Sequence, residues 1–459
     1  MQNVRSLKDV IRIYKTNATT VIGTVLDVWC SDSFPELASS SLPVRKHLKS
    51  DSRVKTFLSF LKQQSLLDSM YWLSSAYALL GESGYRKSLA MYFTPPLLIE
   101  RLLNDLERQG VKYDNGKFFD PACGGAAFLA PIAMRMKAAL KERSASPREI
   151  VEHVENNLFG MDIDKTLRAV SYQFLKMALY EEISITKREP SFNVMTGNSL
   201  CDLDIFYDSI DVLVCNPPYR KSNRKEIDNY RHKYAEVIEG QPNLYGLFIV
   251  LCVKLLKQES ICALVTPTSF LSGQYFSKLR GFLMKETQIL NIGMVGDRSG
   301  VFIDVLQETA LTILRRNKKE NSSETKAVVT VVSGNGEYTN VGLCELPNSG
   351  TSWPIPRIED DIILIKQLGA SKFRIKDYGY AVRIGTFVWN RDQRPAYWSI
   401  DEVSQDEAKT AVPLLWSSDI KSDGILHFDG ADKGNGEPCF VDFGDKKHRS
   451  VIQHASILL

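Results

Sequence analysis

From about residue 91 onward, short apolar runs alternate with longer helical segments, and this alternation limits the fold more than any other feature of the sequence. Buried strands are predicted over Phe118–Phe119, Leu158–Asp162, Asp211–Cys215 and Ile261–Thr266. Helices are predicted over Ala126–Leu140, Lys165–Tyr180 and Leu244–Lys257. Strands and helices that alternate at this length form a mainly parallel sheet with helices on both faces. The sequence therefore predicts an α/β fold, completed by an antiparallel ribbon of Ile289–Val295 and Thr309–Leu314.

The character of the chain changes on either side of this central region. Residues 1–85 form a predicted helical region, in which Val54–Leu80 carries apolar residues at helical spacing. That spacing is typical of a packing element rather than a catalytic one. The central α/β domain is predicted over residues 86–345. Residues 346–459 have short β-like runs and turn signals, which favour a separate α+β part. We expect this last part to be incomplete, because the chain stops at the apolar residues Ile457–Leu459.

Composition excludes several classes of protein. Hydrophobic residues make up 44% and charged residues 24%, which is ordinary for a soluble globular protein. The start of the chain lacks the apolar stretch of a signal peptide, and a cytoplasmic location is expected. Eight cysteines without a Cys-x-x-Cys pair argue against a zinc ribbon and a disulfide scaffold. The net charge of +3 permits a polyanionic partner, whose contact surface would have to be a local patch.

An acid and two glycines follow the first strand, in the segment Asp120-Pro-Ala-Cys-Gly-Gly125. A strand, an acid, a small-residue turn and a helix make a ligand cradle at the carboxyl end of a parallel strand. Gly124 and Gly125 allow a tight turn and a close approach to a ligand. The segment lacks the Gly-x-Gly-x-x-Gly pattern that is typical of dinucleotide sites, so it does not predict a dinucleotide ligand. A tight strand–helix turn would explain the glycines equally well.

Polar residues also follow the next two strands. Asp162 ends the second strand, where a carboxylate commonly accepts hydrogen bonds from ribose hydroxyls. Asp164 is assigned the ordinary role of capping the next helix. Asn198, in a turn further on, can read an adenine edge or simply make a turn.

The tetrad Asn216-Pro217-Pro218-Tyr219 closes the third strand and carries most of the chemical information. The Asn216 side-chain oxygen and a backbone carbonyl, assigned to Pro217, can each accept one N–H bond from a planar amino group. Such a group is a poor nucleophile until its lone pair is freed from the ring. Prolines stiffen the loop, and Tyr219 offers a flat face for a base. The tetrad therefore predicts methyl transfer to an amide-like or aromatic amino group, mainly through orientation. The other interpretation is a proline-rich loop.

Neither a Ser/His/Asp arrangement nor a metal-ligand cluster competes with this site in the sequence, and the six histidines are dispersed. No metal is expected. Residues 1–90 contain only the glutamates Glu36 and Glu82, and neither opens an acid-x-Lys triplet. The sequence therefore predicts no metal-dependent nuclease site in this region.

Taken in order, the motifs resemble the gamma-class DNA adenine-N6 methyltransferases of restriction–modification systems. The resemblance covers roughly residues 85–315 and rests on the order and spacing of its motifs. These are Tyr92-Phe-Thr-Pro-Pro-Leu97, the Asp120 turn, Gly160-Met-Asp-Ile-Asp164, Gly197-Asn-Ser-Leu200, the tetrad, Asn243-Leu-Tyr-Gly-Leu-Phe248, Ala263-Leu-Val-Thr-Pro-Thr-Ser-Phe270 and Gly300-Val-Phe302.

The resemblance implies a Rossmann-like sheet that binds S-adenosyl-L-methionine, and it assigns roles to single positions. Thr94 matches a threonine that holds the methionine carboxylate of the cofactor, and the turn from Asp120 through Ala122 to Gly124 matches the methionine-binding loop. Asp162 matches the ribose acid. Ile163 matches an apolar residue against the adenine ring, and Asn198 replaces the usual Asp at the adenine amino group. The catalytic loop is matched by Asn216, Pro217, Pro218 and Tyr219. Phe302 matches the second aromatic residue that stacks on the flipped target base.

The C-terminal part, from about Trp353, resembles the start of a target-recognition domain. The candidates for DNA contact are Arg383, Arg391 and Arg394, which interleave with aromatic residues. A solvated loop is the other interpretation of these residues. The resemblance implies double-stranded DNA as the partner, with a separate restriction or specificity subunit as a further candidate, and no membrane.

Two other functions stay open at this point. One is another amino-methyltransferase, acting on protein glutamine, RNA or cytosine N4, because those enzymes share a loop of the same type. The other is a catalytically inactive DNA-binding specificity subunit. Thr94 and the long C-terminal region favour adenine in DNA over the first. The intact tetrad argues against the second.

Overall fold

The fold is taken from a computed structural model. The structure describes residues 2–81, 91–296, 308–317, 326–333, 337–347, 350–380, 393–404, 410–421, 425–432, 434, 436–442 and 444. The chain divides into two compact units, Met1–Ala370 and Ser371–Leu459. The boundaries predicted after residues 85 and 345 stay predictions. None of the helices in the described ranges is long and apolar enough to span a bilayer.

Four helices open the first unit: α1 (Gln2–Tyr14), α2 (Ala18–Ser33), α3 (Ser52–Lys62) and α4 (Leu66–Leu80). Short polar side chains begin three of them by accepting a backbone N–H bond, which is the usual N-cap arrangement: Asn17, Asp51 and Ser65. The cap at Ser65 divides the predicted helical stretch Val54–Leu80 into α3 and α4. Buried residues from all four helices belong to the hydrophobic core that also lies against the sheet. The N-terminal helices are therefore packed onto the α/β region.

The central sheet has nine strands among the described residues. They are β1 (Phe118–Asp120), β2 (Leu158–Asp162), β3 (Asn193–Thr196), β4 (Ile210–Cys215), β5 (Leu256–Pro267), β6 (Thr287–Val295), β7 (Thr309–Arg316), β8 (Lys326–Val332) and β9 (Tyr338–Glu345). Their order is β3-β2-β1-β4-β5-β7-β6-β8-β9. The first five are parallel, β6 and β7 pair antiparallel as predicted, and β9 pairs antiparallel with β8.

Helices connect and cover these strands. They are α5 (Pro96–Arg108), α6 (Leu129–Glu142), α7 (Pro147–Asn157), α8 (Lys165–Ala178), α9 (Tyr180–Thr186), α10 (Ser199–Asp202), α11 (Arg224–Tyr234), α12 (Leu244–Leu255), α13 (Ser269–Ser272), α14 (Ser277–Glu286) and α15 (Glu359–Ala370). On β4, Val212 and Val214 enter one core, while Leu213 and Cys215 enter a second core. Because strand side chains alternate between faces, the two cores lie on opposite sides of the sheet. The predicted α/β class with helices on both faces is confirmed.

Three predicted boundaries were wrong by a few residues. The helix predicted from Ala126 begins at Leu129, because Ala126 adopts a left-handed conformation with φ of 57°. The helix predicted over Lys165–Tyr180 ends at Ala178, and α9 follows as a separate helix. The strand predicted over Ile261–Thr266 starts earlier, at Leu256, and shortens the preceding helix.

The second unit contains a small antiparallel sheet. Its strands are β10 (Ala396–Tyr397), β11 (Ala411–Pro413) and β12 (Phe440–Asp442), with β12 in the centre. Cys439 and Val441 are buried beside this sheet. Of the predicted DNA contacts, Arg394 lies in the described part of the unit, whereas Arg383 and Arg391 lie outside the described residues.

The strand order creates one crevice at the carboxyl edge of the sheet. Strand β1 lies between β2 on one side and β4 on the other, and all three are parallel. The chain leaves β1 towards β2, whereas β4 continues to β5 on the opposite side. In open α/β sheets, ligands bind outside the carboxyl ends of strands at such a reversal. The crevice therefore locates the candidate site.

Candidate functional site

A cavity of about 300 Å³ lies at this crevice. Nine of the residues predicted from the sequence line it together: Thr94, Asp120, Ala122, Gly124, Asp162, Ile163, Asn198, Asn216 and Pro218. Its size is at the lower end of the range of about 300–1,000 Å³ that is typical of small-molecule sites. Residues that are more than 100 positions apart in the sequence thus share one wall.

The turn after β1 requires both of its glycines. Gly124 has a φ of 52°, and a Cβ there would lie 3.0 Å from the Phe93 ring. A Cβ on Gly125 would lie 1.9 Å from Oγ of Ser74, on helix α4. Only glycine fits at Gly125 unless Ser74 moves. The two interpretations of the sequence are therefore compatible, since the segment is a tight turn and also a wall of the cavity.

Asp120 holds this turn from within. Its Oδ1 accepts a hydrogen bond of 3.0 Å from the backbone N–H of Ala122, and the residue is almost completely buried. Burial raises the pKa of the Asp120 carboxyl well above its usual value, and the nearby Asp162 charge raises it further. A carboxyl group in this position shapes the turn, while its accessible surface contributes to the cavity.

Asp162 lies at the end of β2 and anchors the turn from the other side. Its Oδ2 accepts a bond of 2.9 Å from the N–H of Gly124, and its Oδ1 accepts one of 2.8 Å from the N–H of Asp164. Burial raises the pKa of Asp162 to about 6, although both backbone bonds favour the carboxylate. Each oxygen retains a lone pair for a ligand, because a carboxylate oxygen can accept two bonds.

Asp164 caps helix α8, as the sequence predicts. Its Oδ1 accepts bonds from the N–H groups of Thr166 and Leu167, at 2.7 and 2.9 Å. Its Oδ2 accepts a bond of 2.9 Å from the hydroxyl of Tyr77, on helix α4. Through its own backbone N–H, Asp164 then reaches Asp162. A continuous set of hydrogen bonds therefore connects the N-terminal helices to the cavity wall.

Asn198 begins the short helix α10 after β3. Its Oδ1 accepts a bond of 3.2 Å from the N–H of Leu200. Its Nδ2 donates a bond of 3.1 Å to the hydroxyl oxygen of Tyr230, on helix α11. The amide thus makes the predicted turn and also faces the cavity.

Asn216 begins the tetrad, and its side-chain amide is held by a segment far away in the sequence. Its Nδ2 donates one bond of 2.8 Å to Oγ1 of Thr94 and one of 3.1 Å to the carbonyl oxygen of Tyr92. Both hydrogens of the amide nitrogen are therefore used inside the protein. The side-chain oxygen is left as the part of Asn216 that can accept a bond from a bound group.

Tyr219 ends the tetrad and lies beside the cavity rather than in its lining. Its hydroxyl donates a bond of 2.9 Å to the carbonyl oxygen of Val265. Its ring contacts Tyr245 edge to face, with centroids 6.2 Å apart. Burial raises the pKa of Tyr219 well above its usual value, so the hydroxyl remains a donor. The orientation of the ring is therefore fixed. Its predicted stacking partner, Phe302, lies outside the described residues.

The structure adds lining residues to which no individual role was assigned from the sequence. They are Phe93, Arg220, Glu226, Tyr230, Leu244 and Phe248. Arg220 directly follows the tetrad and forms a two-pronged ion pair with Glu226, at 2.9 and 2.5 Å. The sequence signal was the capping box that begins α11, in which Asn223 and Glu226 bond each other's backbone N–H groups. That signal predicts a helix but not the side of the helix that faces a ligand.

Comparison with known proteins finds a family model that matches part of the chain. Residues 156–302 match the model of the Eco57I restriction-modification methylase family, and this range contains both Asp162 and Asn216. Over this range, about a third of its length, the chain is similar to the restriction-modification methylases. The resemblance seen in the sequence is thereby confirmed. This similarity supports S-adenosyl-L-methionine, the predicted cofactor.

Two curated relatives illustrate how far this similarity reaches. The type II methyltransferase M.BstVI of Geobacillus stearothermophilus is 24% identical over 264 residues, covering 55% of this chain and 46% of its own. The type II restriction enzyme and methyltransferase RM.Eco57I of Escherichia coli is 27% identical, covering 46% of this chain and 25% of its own. The chain thus spans from a quarter to about half the length of these relatives.

Among solved structures, the type IIG restriction endonuclease BpuSI aligns with 73% of this chain and 42% of its own. Its sequence identity to this chain is 17%, and the TM-score is 0.48.

Proposed function

We propose that this methylase transfers a methyl group from S-adenosyl-L-methionine to the N6 amino group of adenine in double-stranded DNA, as the modification part of a restriction–modification system. The observation that carries the proposal is the orientation of the Asn216 amide. Its nitrogen is bonded to Tyr92 and Thr94, so its oxygen is the atom presented to an incoming amino group. An acceptor is what an amino N–H needs.

The lining residues fit the cofactor. The Asp162 carboxylate can accept bonds from ribose hydroxyls, and the exposed side chain of Ile163 offers an apolar surface for the adenine ring. Gly124 and Thr94 also line the cavity, and we assign them to the methionine part of the cofactor. When bound, S-adenosyl-L-methionine supplies an electrophilic methyl group. The residues of this chain would then position the cofactor and the target amino group relative to each other.

In the proposed reaction, Asn216 Oδ1 and the carbonyl oxygen of Pro217 each accept one N–H bond from the adenine amino group. These bonds move the nitrogen towards tetrahedral geometry and make its lone pair available. A nitrogen–carbon bond then forms as the sulfur–methyl bond breaks, and the amino nitrogen releases one proton to solvent. Orientation of this kind can supply several kcal/mol of the barrier reduction, up to roughly 7–11 kcal/mol in well-aligned cases.

The target base must leave the duplex, because its amino group is engaged in base pairing. We propose that the Tyr219 ring supports one face of the flipped base and Phe302 the other. Stacking on an aromatic side chain contributes roughly 1–3 kcal/mol for each base in single-strand binders. The Tyr219 ring is already fixed by Val265 and Tyr245, which supports this role. DNA as the substrate also leads us to infer a cytoplasmic location.

The test compares cells that express the methylase with cells that express its Asn216→Ala variant, in a host without adenine methylation. Genomic DNA is digested to nucleosides for mass spectrometry and sequenced for modified positions. We expect N6-methyladenine at one sequence motif with the wild type only. N4-methylcytosine, or methylation of RNA or protein glutamine instead, would overturn the proposal. Binding of S-adenosyl-L-methionine without any transfer would favour the inactive specificity subunit.

A further inference from the structure

We propose that Tyr230 determines specificity for the adenine ring of the cofactor, because its hydroxyl sets the orientation in which the Asn198 amide meets that ring. The inference rests on cofactor binding as given in the proposed function. Tyr230 lies on α11, outside the motifs that carry the family resemblance. It lines the cavity together with Asn198.

Two contacts define the orientation of the Asn198 amide. The N–H of Leu200 donates to Oδ1 at 3.2 Å, and Nδ2 donates to the Tyr230 hydroxyl oxygen at 3.1 Å. A flipped amide would bring Nδ2 against the Leu200 N–H, so that two donors would face each other. An asparagine amide is nearly symmetric in shape, and only such partners distinguish its two ends. The Leu200 N–H therefore favours one orientation of the Asn198 amide, and the Tyr230 hydroxyl stabilises the same orientation.

These contacts leave one donor and one acceptor for a ligand. Nδ2 has two hydrogens, of which Tyr230 takes one, and Oδ1 has two lone pairs, of which Leu200 takes one. Adenine presents an amino donor next to a ring-nitrogen acceptor, and an asparagine amide can bind this pair with two bonds. A carboxylate could accept from the amino group, but it could not donate to the ring nitrogen. Asn198 thus matches the adenine edge because its amide is oriented.

Tyr230 is itself held firmly against Asn198. The next turn of α11 carries Tyr234, whose hydroxyl donates a bond of 3.1 Å to the carbonyl oxygen of Leu200. Lys233 donates to the carbonyl oxygen of Cys201 at 2.6 Å and pairs with Asp204. Tyr230 is only 6% exposed. The helix is therefore fixed to the same short segment that Asn198 begins, so the distance between the two side chains is well defined.

The experiment measures binding of two ligands to the full chain by calorimetry. One is S-adenosyl-L-homocysteine, and the other is its inosine counterpart, in which an oxo group replaces the amino group and the ring nitrogen becomes a donor. The wild type should prefer the adenine form. Tyr230→Phe keeps the ring and removes the hydroxyl, so this preference should fall roughly threefold to tenfold, the equivalent of about one hydrogen bond.

Tyr234→Phe is the matched control, because it removes a buried hydroxyl from the same helix without touching Asn198. Because Lys233 still fastens α11 to Cys201 and Asp204, the preference of this variant for the adenine form should stay close to that of the wild type. In an Asn198→Ala background, Tyr230→Phe should cause no further loss of preference, since the amide it orients is gone.

Three results would overturn the assignment. An unchanged preference in Tyr230→Phe is the first. The second is an equal weakening of both ligands, which would mean that the hydroxyl supports only the structure. The third is a further loss of preference when Tyr230→Phe is added to Asn198→Ala. If the wild type bound neither ligand, the proposed function would fall together with this assignment, whereas tight binding with an unchanged preference would overturn the assignment alone.

Discussion

The side-chain nitrogen of Asn216 lies 2.8 Å from the hydroxyl oxygen of Thr94, although the two residues are 122 positions apart in the sequence. The family resemblance implies a role for Thr94 at the cofactor and a role for Asn216 at the target amino group. The contact joins the two positions directly, while both roles stay predictions. A residue of the cavity lining thus holds the amide that is proposed to be catalytic.

We expect Thr94→Val to reduce kcat more than it changes KM for the cofactor. Valine has nearly the same shape but cannot accept the Asn216 bond, so the amide loses one of its two anchors. Loss of one such bond corresponds to roughly 0.5–1.5 kcal/mol, or about twofold to tenfold in rate. Steady-state kinetics with Thr94→Ser as the control would test this. A rise in KM with an unchanged kcat would assign Thr94 to the cofactor alone.

Binding of the cofactor should weaken below pH 6. Burial raises the pKa of Asp162 to about 6. Below this pH the carboxyl group carries a proton, so one of its oxygens becomes a donor and accepts a ribose hydroxyl less well. Kd should be constant well above pH 6 and should approach a tenfold rise for each unit below it. Calorimetric titrations from pH 5 to 8 would show this. The slope should disappear in Asp162→Asn, and its persistence there would exclude Asp162 as its source.

The same pKa affects folding with a definite sign. Because the folded-state pKa lies above the unfolded value of 3.8, the folded protein holds this proton more tightly. The contribution of Asp162 to the free energy of unfolding is therefore greatest below pH 3.8 and is lost as the pH rises through about 6.

Gly125→Ala should lower both thermal stability and cofactor affinity. The new Cβ would lie 1.9 Å from Oγ of Ser74, so either the turn or α4 must move. Overpacking of this kind typically lowers stability by about 1–3 kcal/mol. Thermal unfolding with and without the cofactor would measure both effects. Gly281→Ala is the control, because nothing lies within 4 Å of its Cβ position on α14.

A rescue makes the Gly125 prediction sharper. Ser74→Gly removes the side chain that the new Cβ would meet, so the double variant should recover cofactor affinity. Failure to recover it would mean that the contact with Ser74 on α4 is not what excludes alanine at this position.

Tyr77→Phe should weaken cofactor binding although Tyr77 lies outside the cavity lining. Its hydroxyl donates to Asp164, whose backbone N–H holds Asp162. Removing one donor from the buried Asp164 carboxylate should lower the free energy of unfolding by about 1–3 kcal/mol. We expect Kd to rise a few fold. Tyr113→Phe is the matched control, since it is equally buried but bonds only weakly to Leu103, at 3.4 Å. Equal Kd values for both variants would contradict the prediction.

The sequence was sufficient to predict the positions of those site residues that lie at strand ends. Asp120, Asp162 and Asn216 each follow a buried apolar run, and parallel strands bring their carboxyl ends to one edge. The apolar pattern within a few consecutive residues is enough to predict each of these strands and its end. All seven cofactor residues that were predicted from the sequence therefore line the cavity, and their individual roles stay predictions.

Contacts between distant segments could not be predicted in this way. The bond from Asn198 to Tyr230 depends on how α11 packs after the tetrad, and the bond from Tyr77 to Asp164 depends on how the N-terminal helices pack. Neither pairing has a local pattern. The left-handed conformation of Ala126 was also invisible, because alanine ordinarily favours a helix. The roles of Phe302, Arg383 and Arg391 stay predictions.

The ion pair between Arg220 and Glu226 has a thermodynamic consequence. Tyr219, proposed to support the target base, is bonded covalently to Arg220, and the pair fixes Arg220 to a helix that forms part of the cofactor cavity. A shift of the loop when DNA binds would therefore reshape the cavity. The two ligands would then be linked, and the factor by which DNA changes the affinity for the cofactor must equal the factor by which the cofactor changes the affinity for DNA.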